Sequence, residues 1–220
     1  GASKSGGYPD LPPEIPYPTL CAFSAEFKND TESYPESAMQ LAAQIDLAEA
    51  APYDKDGALP RSGMLYIFWS GELDLADSDG WVKYTFDGEN RETFKVIYYN
   101  GDKSSLSRTE PPCHYHAKYF DKPIEPLRFS FGCKYEYGIS EYEEELEELY
   151  DEDGEFTADG SKLLGYPKGS MNVDKPSRRE TNLFQFDFKM GSIWGLYWYI
   201  GRQDLKEKNF SAVRMVCDLD

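Results

Sequence analysis

The sequence has few of the residues on which many catalytic and metal sites depend. Its 220 residues include two histidines, four cysteines, and 23 lysines and arginines against 40 acidic residues, which gives a net charge of −17. A net charge this negative opposes binding to nucleic acid or to an anionic membrane surface. It allows a basic protein or divalent cations as partners. No run of 18 apolar residues occurs, so no segment is predicted to span a membrane.

The sequence also lacks a Cys-x-x-Cys motif and a recognisable export signal. Its four cysteines, Cys21, Cys113, Cys133 and Cys217, stand far apart. In a domain of this length, scattered cysteines are more typical of reduced thiols than of a disulfide framework. We therefore predict buried, reduced thiols and a cytoplasmic protein.

Common catalytic motifs are absent. The sequence has no P-loop, no Gly-x-Gly-x-x-Gly loop and no Gly-x-Ser-x-Gly turn of the kind that many hydrolases use. A histidine-dependent nucleophile would have to use His114 or His116, because the chain has no other histidine. We predict that the protein is not an enzyme and takes no cofactor, and we rank a metal-dependent hydrolase as the less favoured alternative.

One cluster has residue types that bind zinc: Cys113, His114 and His116, with Cys133 further along the chain. On a strand, His114 and His116 would point to one face and Cys113 to the other, so a tetrahedral site would need a turn after the two prolines at 111–112. We favour a loop with exposed histidines and two buried thiols over a zinc site.

Aromatic residues are abundant, with 17 Tyr, 13 Phe and 4 Trp, which excludes a disordered chain. Short apolar or alternating runs are typical of β-strands. They predict strands at 63–69, 81–86, 93–99, 127–131, 183–188, 196–200 and 213–217.

Helix signals are scarce. A capping box formed by Ser140 and Glu143 predicts a helix that ends at Gly154, and a second short helix is expected at 203–208. The stretch 38–51 fits either a helix or a strand followed by a helical turn.

Five prolines in the first 20 residues predict an extended arm on the surface. Three Asp-x-Asp-Gly sequences, at 54–57, 77–80 and 151–154, are interpreted as tight turns.

Several landmarks recur in the same order in the two halves of the chain. Gly7-Tyr8-Pro9 and Gln44-Ile45-Asp46 return as Gly165-Tyr166-Pro167 and Gln185-Phe186-Asp187, each set followed by a hydrophobic run. We predict an α+β, β-rich, mostly antiparallel fold with few short helices and an internal pseudo-twofold duplication. The prediction is one domain over 1–220, with pseudo-repeats at roughly 1–110 and 160–220 and an acidic helical insertion near 140–155.

The same landmarks are where the chain resembles the YwqG-like family, a bacterial domain of unknown function. The ordered set carries the resemblance, and its matching stretches are 4–12, 41–47, 59–68, 163–167, 183–187 and 199–211. The resemblance implies a β-rich α+β fold, a strand within 38–47, and no catalytic residues to carry over. It also implies a suspected immunity role, since similar members occur near contact-dependent and secreted toxin systems. One departure is Leu196 after Trp194-Gly195, where the family often has Asp.

The two Gln-x-Asp sequences lie within apolar stretches, and their glutamines, Gln44 and Gln185, could line a small-molecule pocket together with Trp69 and Trp194. Internal polar residues of this kind more often tie strands and loops together. A sugar-binding or small-ligand module with an aromatic pocket is therefore an alternative function.

The remaining feature is the acidic segment, residues 141–155, which holds ten carboxylates and no basic residue. The other 205 residues carry only −7. Such runs usually form a solvated face, but a basic partner would relieve the repulsion within this one. We predict a non-enzymatic binding protein, an immunity protein that neutralises a basic toxin. The predicted contact residues are Glu141, Glu144, Glu145, Glu148 and Asp151.

Overall fold

The computed structural model describes residues 1–27, 30–71, 93–115, 122–133, 160–167, 176–187 and 193–219. The chain forms two compact units, Gly1–Phe131 and Gly132–Asp220. Both are built on antiparallel sheets, and the described residues include two short α-helices, which confirms the β-rich α+β prediction. The predicted strand at 81–86 and the predicted acidic helix lie outside the described residues.

Within the described residues, the first unit contains a five-stranded sheet and three two-stranded ribbons. The strands are β1 Lys4–Ser5, β2 Asp10–Leu11, β3 Thr19–Leu20, β4 Phe23–Phe27, β5 Asp30–Tyr34, β6 Ser37–Ala38, β7 Gln40–Asp46, β8 Met64–Trp69, β9 Phe94–Tyr99, β10 Ser107–Arg108 and β11 Leu127–Arg128. The sheet has the order β11-β1-β7-β8-β9, and the ribbons pair β10 with β2, β3 with β6, and β4 with β5.

The core of this unit lies on β7 and β8. All six residues of β8 are buried, as a continuous apolar run predicts for a strand covered on both faces. After β7 the chain makes helix α1, Leu47–Ala50, which Asp46 caps by accepting a hydrogen bond from the Ala48 N–H at 3.0 Å. The stretch 38–51 is therefore a strand followed by a helical turn. The strands predicted at 63–69 and 93–99 are confirmed as β8 and β9.

The surface arm predicted for residues 1–20 is wrong. Ser3, Leu11 and Leu20 are buried, and β1 lies inside the sheet between β11 and β7. The prolines did not prevent this because they stand between the short strands, where the sheet needs no backbone N–H from them. The strand predicted at 127–131 is also shorter than expected: β11 has two residues, because its partner β1 has two.

The first Asp-x-Asp-Gly sequence, 54–57, forms the predicted turn. The Asp54 carboxylate accepts hydrogen bonds from the backbone N–H groups of Ala58 at 3.1 Å and Leu59 at 2.8 Å. The sequences at 77–80 and 151–154 lie outside the described residues.

In the described part of the second unit the strands are β12 Lys162–Leu163, β13 Glu180–Phe186, β14 Ile193–Gly201 and β15 Arg214–Leu219. They form a four-stranded antiparallel sheet in the order β12-β13-β14-β15. Helix α2, Arg202–Glu207, follows β14 and ends at Lys208, which is left-handed with φ 59°. These elements confirm the strands predicted at 183–188, 196–200 and 213–217, each shifted by one to three residues, and the helix predicted at 203–208. Across the described residues of both units, neither helix has the length and apolar character needed to cross a membrane.

Gly6→Ala should destabilise the first unit. Gly6 has φ +63°, and an added Cβ would lie 2.6 Å from the carbonyl oxygens of Ile124 and Glu125. Strain and backbone displacement together should cost about 2–3 kcal/mol of unfolding free energy, measured by urea denaturation. The control is Gly132→Ala, where nothing lies within 4 Å of the added Cβ. Equal stability of the two variants would contradict this account of Gly6.

Candidate functional site

The described polar residues converge most closely around Gln44 in the middle of β7. The side chain is fully buried, and each of its polar atoms is bonded. Nε2 donates to the Ala2 carbonyl at 3.0 Å and to the Asp10 carboxylate at 2.8 Å, while Oε1 accepts from the Asp10 N–H at 2.7 Å. One amide therefore holds two separate points of the N-terminal segment against the sheet.

Two neighbours complete this Gln44 clamp. The Lys4 ammonium donates to the Tyr8 carbonyl at 2.7 Å and lies 3.5 Å from the Asp10 carboxylate. The Tyr66 hydroxyl donates to the Asp10 carbonyl at 2.6 Å. Burial, with a smaller contribution from the Asp10 charge, raises the pKa of Tyr66 above its usual value, so the phenol stays a neutral donor. These groups bond mainly to one another, as a structural tie does.

Asp46, two residues after Gln44, extends the clamp. Its backbone N–H donates to the Ser3 hydroxyl at 2.9 Å, and its carboxylate forms an ion pair with Lys103. The Ser3 N–H in turn donates to the Glu49 carboxylate at 3.2 Å. The Gln-x-Asp sequence thus fixes both the start of the chain and the turn after β9.

The second unit has a matching arrangement around Gln185 on β13. Gln185 is buried, and its Nε2 donates to the Gly160 carbonyl at 3.0 Å. The Asp187 N–H donates to the Ser161 hydroxyl at 3.2 Å, as the Asp46 N–H does to Ser3. The registers also agree: Lys162 is opposite Gln185, as Lys4 is opposite Gln44. The two Gln-x-Asp sequences therefore perform the same local task.

The predicted aromatic pocket is not assembled around Gln44 and Trp69. Gln44 is opposite Tyr66 in the register, and Trp69 is three residues further along β8, so the two side chains point to opposite faces of the sheet. Trp69 is fully buried in the core. The Trp194 side chain lies outside the described residues, and its part of the pocket stays a prediction.

The cysteines and histidines also differ from expectation. Cys21, Cys113 and Cys133 are free thiols, but Cys21 and Cys133 are exposed and Cys113 is half-buried, so the prediction of buried thiols is wrong for these three. The reason is local: Cys21 and Cys133 lie in exposed loop segments rather than on the apolar core strands. Burial raises the pKa of Cys113.

The zinc-like cluster is only partly described. His114 is exposed, as the loop interpretation predicts, while His116 lies outside the described residues. Among the residues that the structure describes, no three side chains of His, Cys, Asp or Glu come together as a metal site.

A buried tyrosine pair was missed by sequence reasoning. The Tyr17 hydroxyl donates to the Met39 carbonyl at 3.0 Å and lies 3.1 Å from the Tyr115 hydroxyl. Burial, followed by the Tyr115 hydrogen bond, raises the pKa of Tyr17 above the ordinary tyrosine range. The Ala38 N–H donates to the His114 carbonyl at 2.9 Å. These contacts of Tyr115 and His114 anchor the segment that contains the predicted zinc-like cluster.

The described part of the second unit contains a strong ion pair between Arg214 and Glu180. Arg214 donates from Nε and Nη2 to the two oxygens of Glu180, at 2.7 and 3.2 Å, and its guanidinium lies 4.8 Å from the centre of the Tyr199 ring. The Ser177 N–H also donates to Glu180 at 2.8 Å. The Arg214 hydrogen bond, reinforced by Ser177, lowers the pKa of Glu180 to about 2.

The predicted partner-binding residues Glu141, Glu144, Glu145, Glu148 and Asp151 lie outside the described residues. Their role stays a prediction from the sequence.

Taken together, the two units define a class of β-rich protein whose antiparallel sheets are tied to flanking segments by buried glutamines. The chain belongs to the family described as a domain of unknown function (DUF1963), whose model matches residues 3–218 and so includes both clamps. No curated protein matches the chain.

Gln44→Leu should destabilise the first unit by about 3 kcal/mol, because it removes three hydrogen bonds made by a fully buried amide, to the Asp10 N–H, the Asp10 carboxylate and the Ala2 carbonyl. Urea denaturation measures the change. The matched control is Gln203→Leu on the exposed face of α2, which should stay within about 0.5 kcal/mol of the wild type. A Gln44→Leu protein as stable as that control would refute the clamp.

The Glu180–Arg214 pair should make stability depend on acid pH. The folded-state pKa of Glu180, about 2, lies below the ordinary value near 4.5, so the contribution is complete above pH 4.5 and is lost as pH falls towards 2. At neutral pH, Glu180→Gln should cost about 1–2 kcal/mol, since the pair is partly exposed.

The measurement is unfolding free energy against pH for the wild type, Glu180→Gln and the exposed control Glu14→Gln. The gap between the wild type and Glu180→Gln should close between pH 4.5 and 2. A gap of constant size over that window would rule out the ion pair as its source.

Proposed function

We propose that this protein is a non-enzymatic binding protein that docks a basic protein partner through the acidic segment, residues 141–155. The observation that carries the proposal is the density of charge: ten carboxylates in fifteen residues with no cation among them, on a chain whose other 205 residues sum to −7. The negative charge is therefore concentrated in one segment. A concentrated charge attracts a complementary surface on a partner, whereas the same charge spread over the protein would mainly raise its solubility.

Physical chemistry gives such a segment two advantages in binding. If it is helical, as its capping box predicts, its glutamates repel one another at i,i+3 and i,i+4 spacing, and a cationic partner would remove that cost. Complementary charge also speeds the diffusional encounter, and the gain falls as salt screens the field. Binding should therefore be fast at low ionic strength and sensitive to salt.

The Gln44 and Gln185 clamps support the assignment of function to a different part of the chain. Their amide groups are buried and bonded to the backbone of the segments they hold. In such a scaffold the buried glutamine amides position surface segments and do not themselves contact a partner.

The resemblance to the YwqG-like family supports a more specific role, that of a cytoplasmic immunity protein neutralising a basic toxin. Such a protein would need neither a cofactor nor contact with nucleic acid or membrane. The matching registers and hydrogen bonds at Gln44 and Gln185 also support the internal duplication that the sequence landmarks predict.

The test is charge reversal at Glu144, Glu145 and Glu148, each to Lys, with the product of the neighbouring gene as the binding partner. The variant loses three carboxylates and gains three positive charges, the same sign as the basic partner. The affinity, measured by calorimetry, should fall at least about 100-fold, and the variant should no longer protect cells that express the partner.

The matched control reverses three exposed acidic residues outside the segment: Glu14, Asp56 and Glu110, none of which forms an ion pair in the described part of the chain. Both variants have the same net charge. The control should bind within about threefold of the wild type. Full protection by the 144/145/148 variant, or equal loss in the control, would refute the acidic-segment mechanism.

A further inference from the structure

The first unit places two cations side by side on its main sheet. Arg128 on β11 is directly opposite Lys4 on β1, and Lys4 is directly opposite Gln44 on β7. Side chains in register on neighbouring strands point to the same face, with their Cβ atoms about 5 Å apart. Like charges in this arrangement destabilise a sheet, and here they occur in a chain where acidic residues outnumber basic ones 40 to 23.

A third cation reaches the same place from another strand. Arg108 on β10 is opposite Asp10 on β2, and its guanidinium lies 4.7 Å from the centre of the Tyr8 ring. The Tyr8 carbonyl accepts the hydrogen bond from Lys4. Tyr8 and Asp10 thus bring Arg108 and Lys4 to one short stretch of chain.

The charges in this cluster do not balance. Asp10 is the carboxylate in contact with Lys4, at 3.5 Å, and it also accepts from Gln44. Arg108 and Arg128 are both exposed, and neither forms an ion pair within the described part of the chain. Three cations against one carboxylate leave the cluster at +2 on a strongly acidic protein.

We infer that Lys4, Arg108 and Arg128 form a binding site for the phosphate group of a small ligand. A phosphate dianion would neutralise the cluster, and the planar fork of each guanidinium fits two phosphate oxygens at once. Lys4 is held by Tyr8 and Asp10, so it is pre-positioned at the centre of the site. Residues around the Gln44 clamp therefore have a second role, since the clamp sets the position of Asp10 between the cations.

The probe is pyrophosphate, titrated into the full chain by calorimetry at constant ionic strength maintained with sodium chloride. Saturable binding with one site per chain is expected. The double variant Arg108→Gln/Arg128→Gln should bind at least about tenfold more weakly, because each lost arginine removes a charge-assisted hydrogen bond. Both arginines are exposed, so the unliganded double variant should melt within a few degrees of the wild type.

The control is Arg178→Gln/Arg179→Gln, which removes two exposed arginines from the second unit and should leave the affinity unchanged. Three results would overturn the inference: no saturable heat up to about 10 mM pyrophosphate, equal weakening in the control, or acetate binding as tightly as pyrophosphate. The first would show no site, the second non-specific charge attraction, and the third a general anion site without preference for phosphate.

Discussion

The fold of the first unit depends on the buried side-chain amide of Gln44. This amide donates hydrogen bonds to the N-terminal segment and also accepts one from it. Gln44 offers two N–H donors and a carbonyl acceptor from one position, so it satisfies the Ala2 carbonyl, the Asp10 carboxylate and the Asp10 N–H together. A buried polar group without a partner costs far more than a formed hydrogen bond returns. The N-terminal segment consequently has one favourable position against the sheet, and that position fixes Lys4, Tyr8 and the strand β1.

Other buried glutamines also bond to the backbone of flanking segments, both in the first unit and in the second. Gln40, at the start of β7, accepts from the Ile124 N–H at 3.1 Å and donates to the Lys122 carbonyl at 3.2 Å, which places the chain that forms β11. Gln185 does the corresponding work for Gly160. Short two-residue strands are too small to hold themselves in a sheet, and the glutamines supply the fixed contacts that they lack.

The strands β8, β9, β13, β14 and β15 could be predicted from the sequence, whereas β1 and β2 were missed and β11 was predicted too long. β8 is a continuous apolar, aromatic-rich run between Gly63 and Gly71, which is enough to predict a buried strand, whereas β1 and β2 have two residues each, too few to show any pattern. The prolines suggested a surface arm for a segment that contributes buried residues such as Ser3, Leu11 and Leu20. The Tyr17–Tyr115 contact joins residues 98 positions apart, and no local sequence pattern predicts it. The Gln-x-Asp sequences were recognised, but only the hydrogen bonds distinguish a tie between segments from a pocket lining.

The Gln-x-Asp sequences tie strands to flanking segments, and we propose that residues 141–155 bind the partner. The most direct test is amide hydrogen exchange on the protein alone and in complex with the product of the neighbouring gene. Protection gained on binding should concentrate in 141–155, while the amides of β7 exchange slowly and equally in both states. New protection confined to residues 2–10 and 40–46, with none in 141–155, would contradict the account.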